Sequence, residues 1–99
     1  MNKGIRKTKA TDFSDYLKQQ LKDKGIRKHY DSYGRQLEVA YEILQLRKKA
    51  NISQKELANK IGTTQSNIAR METGRQNFTV ETLEKVARTF NKNLQISIK

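Results

Sequence analysis

The 99-residue sequence contains no cysteine, no proline and no tryptophan, and it has one histidine. Without cysteine, a disulfide framework, a thiol nucleophile and a cysteine zinc site are all excluded. A single histidine, His29, cannot build a histidine metal site, so we expect neither a metal nor another cofactor. Paired carboxylates in a polar cluster, a nucleotide-binding glycine loop and a cysteine–histidine set are also missing, so we expect that the protein is not an enzyme.

Apolar residues are scarce, since they make up 34% of the chain. A chain of this length and composition predicts one small domain, or one domain with an extension. No apolar run approaches the roughly 18 residues of a membrane-spanning helix. Residues 1–10 are basic but lack the apolar stretch of a secretory signal, so we expect a cytoplasmic protein that contacts no membrane.

Positive charge is in excess along the whole chain. Lysine and arginine number 21 against ten acidic residues, which gives a net charge of +11. Residues 1–34 carry nine basic and four acidic side chains, and residues 35–99 carry twelve and six. Such a balance favours nucleic acid as a partner over a merely soluble basic surface.

The N-terminal third, residues 1–34, is predicted to form a basic arm followed by a helical extension. We interpret the arm, residues 1–10, as a disordered tail or as a segment that enters a DNA minor groove. A helix is predicted from Thr11 or Asp12, with Gly25 as its end, and residues 26–34 form a further helical turn or a linker. Its apolar face comprises Phe13, Tyr16, Leu17 and Leu21.

Four helices are predicted after the extension. The first covers about residues 35–50, because its apolar residues recur at helical spacing. Each of the next three follows a capping residue: Ser53 precedes helix 54–61, Thr64 precedes helix 65–72 and Thr79 precedes helix 80–90. The inward residues predicted for the last helix are Val80, Leu83, Val86, Ala87 and Phe90.

The C-terminal segment, residues 92–99, changes to the period of a β-strand. Leu94, Ile96 and Ile98 alternate with polar residues. A lone strand cannot satisfy its own backbone groups, so the segment is either a frayed end or pairs with a second copy. Pairing in a homodimer is favoured, because apolar edge strands promote association.

Two of these helices, Gln54–Ile61 and Gln65–Glu72, are joined by a tight turn that begins at Gly62, and together they predict a helix-turn-helix. Glycine adopts a positive φ without penalty, which a sharp turn requires. Amide side chains can bond an adenine edge in the major groove, and arginine can bond guanine. The candidate base readers are Gln65, Ser66, Asn67 and Arg70, and the alternative is that these residues form only a solvated helix face.

The stretch SQKELANKIGTTQSNIARMETG, residues 53–74, resembles the XRE family of Cro-like and lambdoid-repressor-like DNA-binding domains. The resemblance implies an all-α, five-helix domain over residues 35–91. It also implies that Arg47 and Glu72 form a structural salt bridge, and that Phe78 replaces a common proline. The resemblance implies that Gln54, Arg75 and Asn77 contact phosphates and that Gln65, Ser66 and Arg70 face the bases. Thr64 and Asn67 complete the implied set of DNA-contacting residues.

The extension, FSDYLKQQLKDKGIRKHYD, looks like that of HigA-type antitoxins of toxin–antitoxin pairs. That resemblance implies a repressor of its own operon that also neutralises a RelE-like, mRNA-cleaving toxin. The apolar face of the extension, with Phe13, Tyr16, Leu17 and Leu21, would then contact the toxin. The alternative is a stand-alone XRE-type transcriptional regulator that has no toxin partner. The partners expected are therefore double-stranded operator DNA, a second copy of the chain and, in the first case, a toxin.

Overall fold

The computed structural model of the protein describes residues 13–28 and 30–98, and all the regular structure in these residues is helical. The basic arm and His29 lie outside the described residues. None of the described helices is long and apolar enough to cross a membrane. The helices are α1 (residues 13–20), α2 (Lys24–Lys28), α3 (Tyr30–Lys49), α4 (Gln54–Ile61), α5 (Gln65–Glu72) and α6 (Val80–Thr89).

Helices α4, α5 and α6 each begin at the predicted cap. The Ser53 hydroxyl accepts the Glu56 N–H at 3.0 Å, and the Glu56 carboxylate accepts the Ser53 N–H at 2.8 Å. Thr64 and Thr79 accept backbone N–H groups of their own helices at 3.1 Å. The predicted spans of α4 and α5 are confirmed, because these local hydrogen bonds satisfy donors that every helix start leaves free.

The N-terminal segment differs from its prediction. Helix α1 ends at residue 20, and Gly25 lies inside α2 rather than at a helix end. Asp23 caps the start of α2, because its Oδ1 atom accepts the N–H groups of Gly25 at 2.8 Å and Ile26 at 3.2 Å. Helix α3 then starts at Tyr30, so the boundary predicted between residues 34 and 35 falls within one continuous helix.

The hydrophobic core is formed by side chains of α3, α4, α5 and α6, with α5 packed on both α3 and α4 and α6 packed on α4. Leu37, Leu57, Ile68 and Met71 are its largest fully buried side chains. Val80, which was predicted to face inward, is 54% exposed. It lies in the first turn of α6, where no described residue covers it, while Val86 and Ala87 of the same helix are buried.

The predicted C-terminal strand is absent from the described residues 92–98. Ile96 and Ile98 are exposed there, at 60% and 94%. The described chain contains no other strand, so no neighbouring backbone can form the ladder of hydrogen bonds that a strand requires. The prediction of a strand is therefore wrong for the single chain.

Candidate nucleic-acid interface

The turn between α4 and α5 depends on a left-handed residue. Gly62 has φ 77° and ψ 41°, and its N–H donates to the Ala58 carbonyl. The Thr63 N–H donates to the same carbonyl at 2.8 Å, and Thr64 is extended before α5 begins. This arrangement ends α4 and starts α5 within three residues, and the two helices pack against each other.

Helix α5 has one buried face and one exposed polar face. Ile68 and Met71 have no exposed surface, so the back of the helix is fixed in the core. Gln65, Ser66 and Arg70 are exposed on the other side. The helix therefore presents an amide, a hydroxyl and a guanidinium to the solvent while its position is held from behind.

Asn67 differs from the other candidate readers, because its side chain takes part in the turn. Its Nδ2 atom donates to the Thr63 hydroxyl at 2.9 Å, and its backbone N–H donates to the Thr64 hydroxyl at 3.1 Å. Asn67 is half-buried. The structure thus groups Asn67 with the residues that shape the turn, whereas Gln65, Ser66 and Arg70 face the solvent.

A buried ion pair holds the end of α5. The carboxylate of Glu72 is 3% exposed, and it accepts Arg47 Nε at 2.6 Å and Nη2 at 3.1 Å. Arg47 also donates to the Ile52 carbonyl at 2.9 Å. Arg47 and Glu72, the pair that the resemblance implied, are thus in a bidentate contact that ties α5 to α3.

Gln54 contributes to this same network. Its Nε2 atom donates to Glu72 Oε1 at 3.0 Å, so its amide group points inward rather than toward a phosphate. The first backbone N–H groups of α4, which starts at Gln54, have no acceptor within the helix. The backbone N–H of Gln54 can therefore still bind a phosphate, while its side chain helps to position α5.

The loop after α5 is held from two sides. Gly74 is buried with φ 73°, and Gln36 of α3 donates to the carbonyls of Gly74 at 3.5 Å and Gln76 at 3.3 Å. The Arg75 N–H donates to the Arg70 carbonyl at 2.9 Å. Asn77, a predicted phosphate contact, is exposed in this loop.

The Arg75 side chain faces the N-terminal segment. Its guanidinium donates to Gln20 Oε1 at 3.3 Å and to Asp23 Oδ2 at 3.0 Å. The hydrogen bond from Arg75, followed by the one from the Ile26 N–H, lowers the pKa of the Asp23 carboxyl below its ordinary value. The structure therefore pairs the predicted phosphate-binding arginine with a carboxylate of its own chain.

The apolar stripe of the extension packs on the chain's own helices. The rings of Phe13 and Tyr16 lie with their centroids 5.1 Å from that of Tyr41 in α3. The Tyr16 hydroxyl donates to the Glu72 carbonyl at 2.7 Å, and burial, assisted by the Glu72 charge, raises the pKa of Tyr16. Leu17 and Leu21 are also half-buried. Phe13 and Tyr16 thus contact the chain's own helices, and the contact of this stripe with a toxin stays a prediction.

Sequence reasoning missed four polar residues that position the candidate interface: Gln20, Asp23, Gln36 and Gln76. Gln76 accepts Arg70 Nε at 3.4 Å, which places it beside a candidate base reader. Only Asp23 had a usable signal, because aspartate is a preferred helix cap and precedes α2 directly. Glutamines in a polar stretch have no periodicity that would indicate their contacts.

Comparisons with known proteins agree with this geometry. The family model for helix-turn-helix domains (HTH_3) matches residues 43–96, which is more than half of the chain. Among solved structures, the chain is similar to the restriction-modification controller protein C.AhdI from Aeromonas hydrophila, with 24% identity and a TM-score of 0.60. The match covers 64% of this chain and 91% of that one. No curated protein matches the sequence. The chain therefore belongs to the helix-turn-helix family, and its domain is of the XRE type.

Proposed function

We propose that the protein is a sequence-specific DNA-binding transcriptional regulator in which α5 enters the major groove. The exposure of Gln65, Ser66 and Arg70 on α5, opposite its buried residues, is the observation that carries the proposal. Amide, hydroxyl and guanidinium groups can all bond base edges in that groove. The binding chemistry needs no cofactor.

Phosphate contacts would position the readout. The net charge of +11 attracts the duplex from a distance and predicts that affinity falls steeply with salt. The N-termini of α4 and α5, at Gln54 and Gln65, offer backbone N–H groups that suit phosphate oxygens. Thr64 and Asn77, whose side chains are exposed, are further candidates for DNA contacts.

Two copies would act together. The alternating apolar pattern of residues 92–98 and the exposure of Ile96 and Ile98 support a homodimer in which this segment pairs with its counterpart. A two-fold dimer would present its α5 helices to half-sites about 34 Å apart on a palindrome. Pairing would supply the second strand that the single chain lacks.

Stand-alone regulation is favoured over the antitoxin function. The extension packs its apolar stripe on α3 and α5, which leaves less apolar surface for a toxin. The similar solved structure is named a controller protein, and a control function is what we propose for this chain. Neutralisation of a RelE-like toxin remains a prediction. Co-expression with any small basic protein encoded beside the gene would test it, by rescue of growth.

Selection from a randomised duplex library tests the proposed function directly. The full-length wild-type chain should enrich a palindromic sequence, and a footprint on that duplex should show two protected major-groove faces. Gln65→Ala should change or weaken the enriched sequence, while Gln19→Ala, which removes an exposed glutamine from α1, should not. Failure of the wild-type chain to enrich any sequence would contradict the proposal.

A further inference from the structure

The two carboxylate oxygens of Asp23 have different partners. Oδ1 accepts the N–H groups of Gly25 and Ile26 and so caps α2. Oδ2 lies 3.0 Å from Arg75 Nη2, across 52 positions of the sequence. The cap does not require the second contact, because an aspartate cap uses one oxygen. The ion pair is therefore a separate feature of this corner between α1 and α2.

The loop that carries Arg75 does not need the ion pair in order to keep its shape. Its backbone is held by Gln36, which donates to two of its carbonyls, and by the bond from the Arg75 N–H to Arg70. The extension is also held independently, by the Tyr16 hydroxyl on the Glu72 carbonyl and by the aromatic contacts with Tyr41. The shape of the loop and the position of the extension therefore do not depend on the contact between Asp23 and Arg75 alone.

The consequence for the guanidinium is electrostatic. Arg75 keeps 39% of its side chain exposed and lies just after α5, in the loop for which the family resemblance implies phosphate contacts. A carboxylate and a phosphate bind a guanidinium with the same geometry and sign of charge, so they compete for it. A phosphate that reached Arg75 would also meet the negative charge of Asp23 a few ångströms away.

We infer that Asp23 limits the affinity for DNA. Its carboxylate occupies the Arg75 guanidinium in place of a DNA phosphate and thereby weakens DNA binding. The inference rests on the proposed function and adds a role for the N-terminal segment in it. The ligand concerned is the phosphate backbone, not a base. Removal of the Asp23 charge therefore affects all duplex sequences alike, and it acts only when Arg75 is present.

Salt titration of duplex binding tests the inference with the full-length chain. The probe is a labelled duplex of random sequence, and its affinity is measured by fluorescence anisotropy at several salt concentrations. Asp23→Asn keeps a capping oxygen for α2 and removes the charge. One additional phosphate contact should steepen the slope of log affinity against log salt by about 0.9 and tighten binding several-fold at about 0.1 M salt.

Two controls separate the specific contact from net charge. Asp15→Asn changes the charge of the chain equally, but Asp15 is exposed and contacts no cation in the part of the chain that the structure describes, so the slope should stay near that of wild type. Combining Asp23→Asn with Arg75→Gln should abolish the gain. Thermal melts followed by circular dichroism check folding, and Asp23→Ser is a second uncharged capping variant.

The outcomes distinguish the inference from the proposed function. Three outcomes would each overturn the inference but not the proposed function. They are equal effects of Asp23→Asn and Asp15→Asn, weaker binding by Asp23→Asn, and a gain in affinity that persists without Arg75. A wild-type chain that binds no duplex would overturn the proposed function and the inference together. Steeper salt dependence that requires both the loss of Asp23 and the presence of Arg75 would support the inference.

Discussion

A Cβ atom on Gly74 would lie 2.7 Å from Cδ2 of Leu37, a side chain that is fully buried. Gly74 also has φ 73°, a conformation that other residues rarely adopt. The close approach places the loop after α5 directly against α3. Glycine is therefore required at this position both for its backbone conformation and for its lack of a side chain.

Gly74→Ala should lower the free energy of unfolding by roughly 2–5 kcal/mol, because backbone strain and overpacking add. Gly62→Ala is the matched control, since Gly62 has φ 77° but nothing within 4 Å of the added Cβ. Its cost should be about 1–2 kcal/mol, from strain alone. Urea denaturation measures both variants, and equal losses would contradict a role for the contact with Leu37.

Glu72→Gln should destabilise the domain by about 3–5 kcal/mol, because Arg47 would keep a mostly buried charge without its partner. Glu38→Gln is the control: it breaks the exposed pair of Arg35 and Glu38 and should change stability by less than about 1 kcal/mol. Denaturant unfolding of both variants provides the comparison. A loss for Glu72→Gln no larger than that for Glu38→Gln would be inconsistent with a stabilising network.

Gly34→Ala should raise the free energy of unfolding by about 0.5–1 kcal/mol. Gly34 lies within α3, where alanine is the better helix former, and its added Cβ would meet nothing within 4 Å. A higher melting temperature by circular dichroism is the expected result. A lower one would show that the position needs glycine for a reason other than backbone geometry.

The pair formed by Asp23 and Arg75 should make stability depend on pH in acid. Its guanidinium lowers the pKa of Asp23 below the ordinary 3.8, so the folded state binds this proton less readily than the unfolded state. The stabilisation is complete above about pH 4 and is lost as the pH falls through the lowered pKa. The stability difference between wild type and Asp23→Asn should shrink in acid, and a difference that grows there would contradict the pairing.

Arg70→Ala should weaken binding to a selected operator by about 1–3 kcal/mol and relax the preference at one base pair. Affinity for a random duplex should fall much less. Arg35→Ala removes the same charge from an exposed position on α3 and should leave the base preference intact. Gel-shift titration with single-base operator variants measures the effect. An unchanged preference after Arg70→Ala would remove Arg70 from the set of base readers.

Much of the helix-turn-helix could be predicted from the sequence, because its signals are local. The capping box at Ser53, the cap at Thr64 and the glycine at position 62 each satisfy or shape the backbone within a few residues. The burial of Ile68 and Met71 follows from helical spacing in the same way. Local rules of this kind hold whatever the rest of the chain does.

The extension was harder to predict, since its helices are stabilised by distant partners. Gly25 resembles a helix end, but the cap at Asp23 and the burial of Ile26 place it inside a helix. The apolar face of α1 could be predicted from its spacing, but the packing of Phe13 and Tyr16 on Tyr41 could not. Amphipathic spacing indicates that a face is covered, and it cannot indicate which surface covers it.

The sequence by itself determined where α4 and α5 begin and end and which side of α5 is polar, because capping and periodicity act over neighbouring residues. Only the tertiary structure decided that Gln54 turns toward Glu72 and that Arg75 pairs with Asp23, because these side chains lie far apart in the chain. The spacing of polar residues in a sequence does not predict their partners, so these contacts are determined only when the chain folds.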